Sequence, residues 1–307
     1  MKVCILGANG QIGNELGKSI YDHSKFYLSS ISDINICKLS RDDFDFKDFE
    51  KLEKALNDFS PNVLINAAAY TDVDNAEDNE AETYKINSEL PRKLGEICSK
   101  LDSILVHIST DYVFNGNSSQ PYNEEDNIDP IGIYGKSKFD GENNIRKLCK
   151  KHIIIRTAWV FGNKGKNFVK TMIQLGKNQN EINVVKDQIG SPTSVSSISN
   201  AISIIIFKMQ NSGIEDKRWG TYHFCGLPYV SWADFATEIF EQAHDKGLIS
   251  STVSVKRISS HQFKSKARRP KNSKLECKKI ELNFGLKYDN WKKSLDILLR
   301  SWVKEND

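Results

Sequence analysis

The chain has no Cys-x-x-Cys pair and no cluster of cysteines with histidines. Its six cysteines, at 4, 37, 98, 149, 225 and 277, are scattered, and three fall inside apolar runs where a buried free thiol is the ordinary state. This spacing argues against a disulfide framework and against a structural metal. Long apolar runs are missing too: the longest, "AISIIIF" at 201–207, is far too short to span a bilayer. Neither sign of charge dominates, with 43 basic against 40 acidic residues, which removes a general reason to bind nucleic acid or a membrane. The opening "MKVCILG" passes directly into a strand-like run, without the charged, apolar and cleavage segments of a secretory signal. A cytoplasmic protein of a reducing compartment is expected. Repeats and low-complexity linkers are also absent, so 307 residues must supply one large core or two interleaved ones.

What is present is alternation. Short β-branched runs at 2–7, 35–40, 62–68, 103–109 and 152–160 are separated by helical stretches at 11–21, 47–58, 79–100 and 133–150. The runs are apolar on both faces, as strands buried between two helix layers must be. Beyond them, strands are expected at 182–188, 221–226 and 252–257, and helices at 193–210, 231–246 and 289–304. The expected fold class is therefore α/β, a Rossmann-like doubly wound parallel sheet with a smaller, interleaved C-terminal substrate domain. Its dinucleotide-binding part spans 1–160 and is completed by 193–226; segments 161–192 and 227–307 form the substrate-binding portion.

"GANGQIG" places Gly7, Gly10 and Gly13 at the first strand-to-helix junction. The first glycine suits a tight turn, the second a close backbone approach to a pyrophosphate, and the third helix–strand packing. The helix start then offers free N–H groups to the anion. After the second strand, "LSRDD" puts Ser40 and Arg41 where an acid would favour a free ribose hydroxyl, and Arg41 suits a 2′-phosphate. NADPH is the expected cofactor; Asp42 and Asp43 leave NADH open. The third strand ends in "NAAAY", whose small side chains leave room for a flat cofactor. Six acids between Asp72 and Glu82 read as solvated residues near a helix start rather than a metal site.

A tyrosine and a lysine four positions apart share a helix face, and the pattern occurs three times: Tyr21/Lys25, Tyr134/Lys138 and Tyr288/Lys292. Only Tyr134 follows a strand end, "HISTDYVF", that brings Ser109, Thr110 and Asp111 to the carboxyl edge of the sheet. That set suits hydride transfer to a carbonyl. Tyr134 would donate the proton, Lys138 would lower its pKa and reach the nicotinamide ribose, and Thr110 would orient the carbonyl oxygen.

In this order, "GANGQIG", "NAAAYTDVDNAE", "STDYVFNG", "YGKSKFDGE", "RTAWVFG", "DQIGSPT" and "RRPKNSKL" resemble the extended short-chain dehydrogenase/reductases, and among them the dTDP-4-dehydrorhamnose reductase branch. The resemblance implies NAD(P)H-dependent reduction of the C4 keto group of a dTDP-deoxysugar for cell-surface polysaccharide. It assigns Thr110, Tyr134 and Lys138 to catalysis. Gly7, Asn9, Gly10, Gln11, Ile12, Gly13, Ala67, Ala68 and Tyr70 fall to the cofactor. Trp159, Asn167, Phe168 and the "RRPKNS" residues Arg268, Arg269 and Ser273 fall near nicotinamide and substrate, beside Thr110 and Asp111. The basic stretch 264–279, with eight Lys/Arg and one Glu, then faces an anionic nucleotide-sugar, with Arg268 or Arg269 meeting its diphosphate. Some relatives dimerise through magnesium held by glutamates. Glu15 matches one such position, but "SPTSVSSIS" offers serines at another, so both Mg2+ and a homodimer stay open. Two alternatives remain: another keto-sugar reductase, epimerase or dehydratase, or a non-catalytic partner like the methionine adenosyltransferase β-subunit. Dehydratases usually carry "TDE" where this chain has "TDY".

Overall fold

Strands apolar on both faces need helices on both sides, and the computed structural model, which describes residues 1–28, 33–42 and 44–306, has that layering. Asp43 lies outside the described residues. The first half runs β1 (Lys2–Leu6), α1 (Gln11–Tyr27), β2 (Asn35–Leu39), α2 (Phe49–Phe59), β3 (Val63–Asn66), α3 (Leu90–Lys100), β4 (Ile104–Thr110), α4 (Ile133–Leu148) and β5 (His152–Thr157). The second half adds α5 (Phe168–Gly176), β6 (Glu181–Val185), α6 (Val195–Met209), β7 (Gly220–His223), α7 (Trp232–Asp245), β8 (Ser254–Ile258) and the C-terminal helix α8 (Trp291–Asn306).

Six strands form one parallel sheet in the order β7-β5-β4-β3-β1-β2. Val3 and Ile5 pack on one side with Leu16, Ile20 and Ile202, whereas Cys4 and Leu6 pack on the other with Leu52, Leu94 and Ile145. The chain leaves β1 for β2 on one side and returns to β3 on the other. That reversal opens a crevice at the carboxyl ends of β1 and β3, where α/β sheets bind ligands. As expected, "TYHF" rejoins the sheet, with Gly220–His223 pairing in parallel with Ile153–Arg156.

A further group of buried apolar side chains, including Phe161, Val169, Ile182, Phe235, Trp291 and Leu295, sits among α5, α7, α8 and the parallel pair β6–β8. No described helix is long and apolar enough to cross a membrane.

Two helices depart from expectation. The first continues past Tyr21 to Tyr27, because Tyr27 stacks on Phe207 of α6 with ring centroids 5.2 Å apart. The stretch 79–100 is not one helix. A turn at Glu80–Tyr84 leads into a π-helical turn at Lys85–Glu89 and only then into α3. The extra residue of the π turn carries Asn87 inward, where its amide both accepts from Tyr70 N (2.9 Å) and donates to Tyr70 O (3.0 Å). Such turns are found at sites where a side chain has to be placed against the helical repeat.

Candidate active site

The glycine loop crosses the crevice. Gly7 has a φ of +77°, and a Cβ there would lie 2.6 Å from Ala68 N; a Cβ on Gly13 would lie 2.2 Å from Gly7 O. Only bare glycines let the loop press against the end of β3 and α1 begin directly behind it. The peptide of Gly10 is fixed by its N–H to Gly7 O (2.9 Å), and Gly10 caps α1 without a side-chain bond. The N–H groups of Gln11, Ile12 and Gly13 therefore have no partner within the helix. This cradle fits the pyrophosphate of a dinucleotide.

Its rim is tied on both sides. Asn9 donates to Asp42 at 2.6 Å, so Asp42 is the residue after β2 that turns to the loop. Arg41 lies exposed at the same strand tip, and Ser40 is buried beneath it. Gln11 donates to Lys166 O (3.1 Å) and accepts from Asn167 (3.1 Å), linking the loop to the start of α5, which Asn167 caps through Lys170 N. Ile12 packs against the apolar core. Across the crevice, Ala67 N bonds Leu6 O (3.0 Å), and the Asn87 bonds hold the Tyr70 backbone.

Thr110 ends β4, buried beside the 3-10 turn Asp111–Val113. Its hydroxyl donates to Asp111 Oδ1 (3.1 Å) and accepts from Tyr112 N (3.2 Å). Burial pushes the Asp111 carboxyl up to about 6, against the pull of the Ser273 and Thr110 hydroxyls. Its Oδ2 is buried with no partner, an acceptor that fits the hydroxyl of a polar ligand.

Tyr134 is the second residue of α4. The glycines of "YGKSKFDGE" set how closely this helix lies: a Cβ on Gly135 would be 2.2 Å from Tyr112 O, and one on Gly141 2.1 Å from Asn87 O. The start of α4 has no cap of its own at Gly132; Glu77 Oε1 supplies it, accepting from Ile133 N at 2.9 Å. The Tyr134 ring meets Tyr112 edge-on at 5.6 Å. Burial raises its phenol to about 12, with a hydrogen bond to Thr110 working downward and the Asp111 charge upward.

Lys138 is not the group that lowers this phenol, contrary to expectation. Its Nζ donates to Ile108 O (2.7 Å) and lies 3.2 Å from His107 Nε2, because a lysine this deeply buried takes the polar partners that β4 offers. Burial lowers it to about 8, with Glu142 pulling the other way. Burial also works against the Glu142 carboxylate, but Arg156 (2.9 and 2.7 Å) and Arg146 outweigh it and hold it at about 2.

The other two tyrosine–lysine pairs are structural. Lys25 sits over the exposed Tyr21 ring at 4.9 Å and pairs with Asp22; Lys292 pairs with Glu238 at 2.6 Å.

On the far rim, Trp159 adopts a positive φ of 46° and stacks on Trp232 at 3.5 Å, with Phe168 against Trp232 at 4.6 Å. Ser273 is buried, and its N–H bonds Ile189 O at 2.7 Å. Arg268 is exposed, whereas Arg269 donates to Asp74 at 2.9 Å. The acid run is therefore more than a solvated face. Asp72 caps the turn Val73–Ala76, Asp74 holds Ala267 N and Arg269, Asp78 pairs with Lys266, and Glu77 caps α4. Asn66, His107, Asn87 and Glu77 were missed by sequence reasoning. The first three read as strand or helix fillers, and nothing local marks Glu77 as the cap of a helix fifty-six residues on. Among the described residues, no three His, Cys, Asp or Glu side chains gather as metal ligands, and Glu15 stands apart from any such group.

Comparison with known proteins adds an independent line. Residues 1–303 match the family model described as "RmlD substrate binding domain". A dTDP-4-dehydrorhamnose reductase of Aggregatibacter actinomycetemcomitans is 38% identical over 96% of this chain and 97% of its own; one from Sinorhizobium fredii is 37% identical over 96% and 95%. Among solved structures, a dTDP-4-dehydrorhamnose reductase from Bacillus anthracis in complex with NADP superposes with a TM-score of 0.84 at 35% identity, covering 98% of this chain and 99% of that one. A dTDP-glucose 4,6-dehydratase from Streptomyces venezuelae shares the fold, with a TM-score of 0.79 at 15% identity, 100% of this chain and 98% of that one being covered.

Proposed function

The chain belongs to the RmlD substrate-binding-domain family, and from that premise we propose that it is an NADPH-dependent oxidoreductase that reduces the C4 keto group of dTDP-4-dehydro-L-rhamnose to dTDP-L-rhamnose. The observation that carries the reading is the convergence of Thr110 and Tyr134 at the carboxyl edge of the sheet, beside a glycine cradle shaped for a pyrophosphate. Six free cysteines suit a cytoplasmic site of action.

NADPH, when bound, supplies the hydride. Gly7, Asn9, Gly10, Gln11, Ile12 and Gly13 would hold the pyrophosphate, Ala67, Ala68 and Tyr70 would border the dinucleotide, and Ser40 and Arg41 would face the 2′-phosphate. The exposure of Arg41 and the NADP complex of the Bacillus anthracis relative favour NADPH; Asp42, turned to the loop, is the reason to test NADH beside it.

The protonic half of the reaction falls to the chain. As charge develops on the C4 oxygen, Thr110 donates a hydrogen bond to it and Tyr134 gives up its phenolic proton. Burial that holds Tyr134 protonated suits an acid, since a forming alkoxide is the stronger base. The phenolate left behind is an acceptor only and has Lys138 one turn along the same helix, while the single Thr110 O–H stays with the C4 oxygen. Asp111, with its open carboxylate oxygen, and Ser273 would take sugar hydroxyls. Trp159, Asn167 and Phe168 would line the sugar and nicotinamide side, and Arg268 and Arg269 would address the diphosphate. In this reading segments 161–192 and 227–307 form the substrate side.

The test follows NADPH absorbance with dTDP-4-dehydro-L-rhamnose and identifies the product by NMR. Stoichiometric NADPH loss and dTDP-L-rhamnose are expected. No cofactor consumption with this or any related keto-sugar would overturn the reading, and turnover without net consumption would identify an epimerase.

A further inference from the structure

The buried lysine has an unusual neighbour. His107 lies in the middle of β4, fully buried, with its Nδ1 3.1 Å from Asn66 Nδ2 and its Nε2 3.2 Å from Lys138 Nζ. The orientation of the Asn66 amide follows from hydrogen-bond accounting. The N–H of Ala68 can only donate, and it meets Asn66 Oδ1 at 3.2 Å, so the NH2 group of Asn66 faces the imidazole. His107 Nδ1 must then accept. A neutral imidazole with an accepting Nδ1 carries its proton on Nε2 and presents it to Lys138. An ammonium has no lone pair to receive it; a neutral amine does, and can still donate to Ile108 O at 2.7 Å.

We infer that His107 is a positioning residue that sets the protonation of Lys138 and, through Asn66, couples it to the cofactor-side end of β3. One state is the arrangement seen here: Ala68 N–H to Asn66, Asn66 to Nδ1, Nε2–H to the lysine amine. In the other, Lys138 takes one proton from solvent and donates to Nε2. The imidazole proton then moves to Nδ1, the Asn66 amide turns to accept it, and Ala68 N–H loses its acceptor. Ala68 follows the end of β3, with its nitrogen against Gly7 of the glycine loop, so cofactor contact at this junction and a cationic Lys138 favour one another. The role rests on the reductase reading only for the identity of that cofactor.

The charged groups around the pair act from two elements, α4 and β5. Glu142, one turn beyond Lys138 on α4, favours a cation on either partner; Arg146 on α4 opposes one on His107; Arg156 on β5 is neutralised by Glu142. The lowered lysine and the strongly lowered histidine agree with a pair that does not carry two charges.

The test is the tautomer of His107 in the unliganded wild-type protein, read from long-range 1H–15N correlations while 13C-labelled Lys138 is titrated. The Nε2–H form is expected above the lysine midpoint and the Nδ1–H form below it, at one shared midpoint. An Nδ1–H form at every pH, or a lysine that titrates while the tautomer stays fixed, overturns the inference. His107→Gln, which can turn its amide oxygen to the ammonium, should raise the lysine midpoint by about one unit, a roughly tenfold change in the protonation constant. His107→Leu should lower it. Shifts in the same direction would indicate a packing role only. Calorimetry of NADPH binding near pH 8 in two buffers should show proton uptake by the wild type. Binding without uptake refutes the coupling, whereas failure to bind NADPH at all refutes the cofactor and leaves the tautomer result standing.

Discussion

Replacing Gly135 with alanine adds one methyl group beside the proposed acid, and the structure says what it meets. The new Cβ would lie 2.2 Å from the carbonyl oxygen of Tyr112 and 3.0 Å from Pro130 Cβ. An ordinary contact begins near 3.4 Å, so α4 must move by roughly 1 Å or the 3-10 turn must give way. Both carry catalytic groups: Tyr134 is the preceding residue, and the Tyr112 N–H anchors the Thr110 hydroxyl at 3.2 Å. Overpacking of this kind costs about 1–3 kcal/mol, and displacement of a reacting group by 1 Å costs on the order of 100-fold in rate. We therefore expect Gly135→Ala to fold, lose about 1–3 kcal/mol in urea denaturation and fall roughly 100-fold in kcat. Affinity for NADPH should change little, since the glycine cradle at the end of β1 is untouched. An alanine variant with wild-type kcat would show that the placement of α4 does not govern the chemistry.

Two buried carboxyls predict opposite pH behaviour. Glu142, held at about 2 by its arginines, contributes stability that is present above the unfolded carboxyl value and lost as pH falls toward 2. Glu142→Ala, which leaves Arg156 buried and unpaired, should cost roughly 3–5 kcal/mol at neutral pH and much less near pH 3, measured by chemical denaturation. Asp111, raised to about 6, penalises the fold increasingly as pH rises from the unfolded value through 6. Asp111→Asn should therefore raise Tm more at pH 8 than at pH 4 while it weakens substrate binding. A pH-independent change in either variant would contradict the assigned ionisation.

The sheet was legible because its strands announce themselves locally: β-branched runs bounded by glycine or acid, with "GANGQIG" at the first junction. Thr110 could be placed because it ends the fourth strand, and Tyr134 and Lys138 because they lie on the helix that follows that strand. The break in 79–100 was not legible, since "KINSE" has ordinary helix composition and its π turn is imposed by what Asn87 must reach across the crevice. Nor could the acid run be read as the anchor of α4 and of residues 266–269, because those partners lie more than fifty and nearly two hundred residues away. The direction of Lys138 depended on His107, a strand residue whose chemistry shows only when the fold brings β3, β4 and α4 together.

The central claim is that Tyr134 delivers the proton while hydride reaches C4. The most direct measurement compares wild type with Tyr134→Phe, using NADPH deuterated at C4 of the nicotinamide and dTDP-4-dehydro-L-rhamnose. The wild type should place deuterium at C4 of the sugar, and the variant should bind NADPH normally while its kcat falls by about 100- to 10,000-fold. Equal rates for the two proteins, or deuterium at any other carbon, would contradict the account.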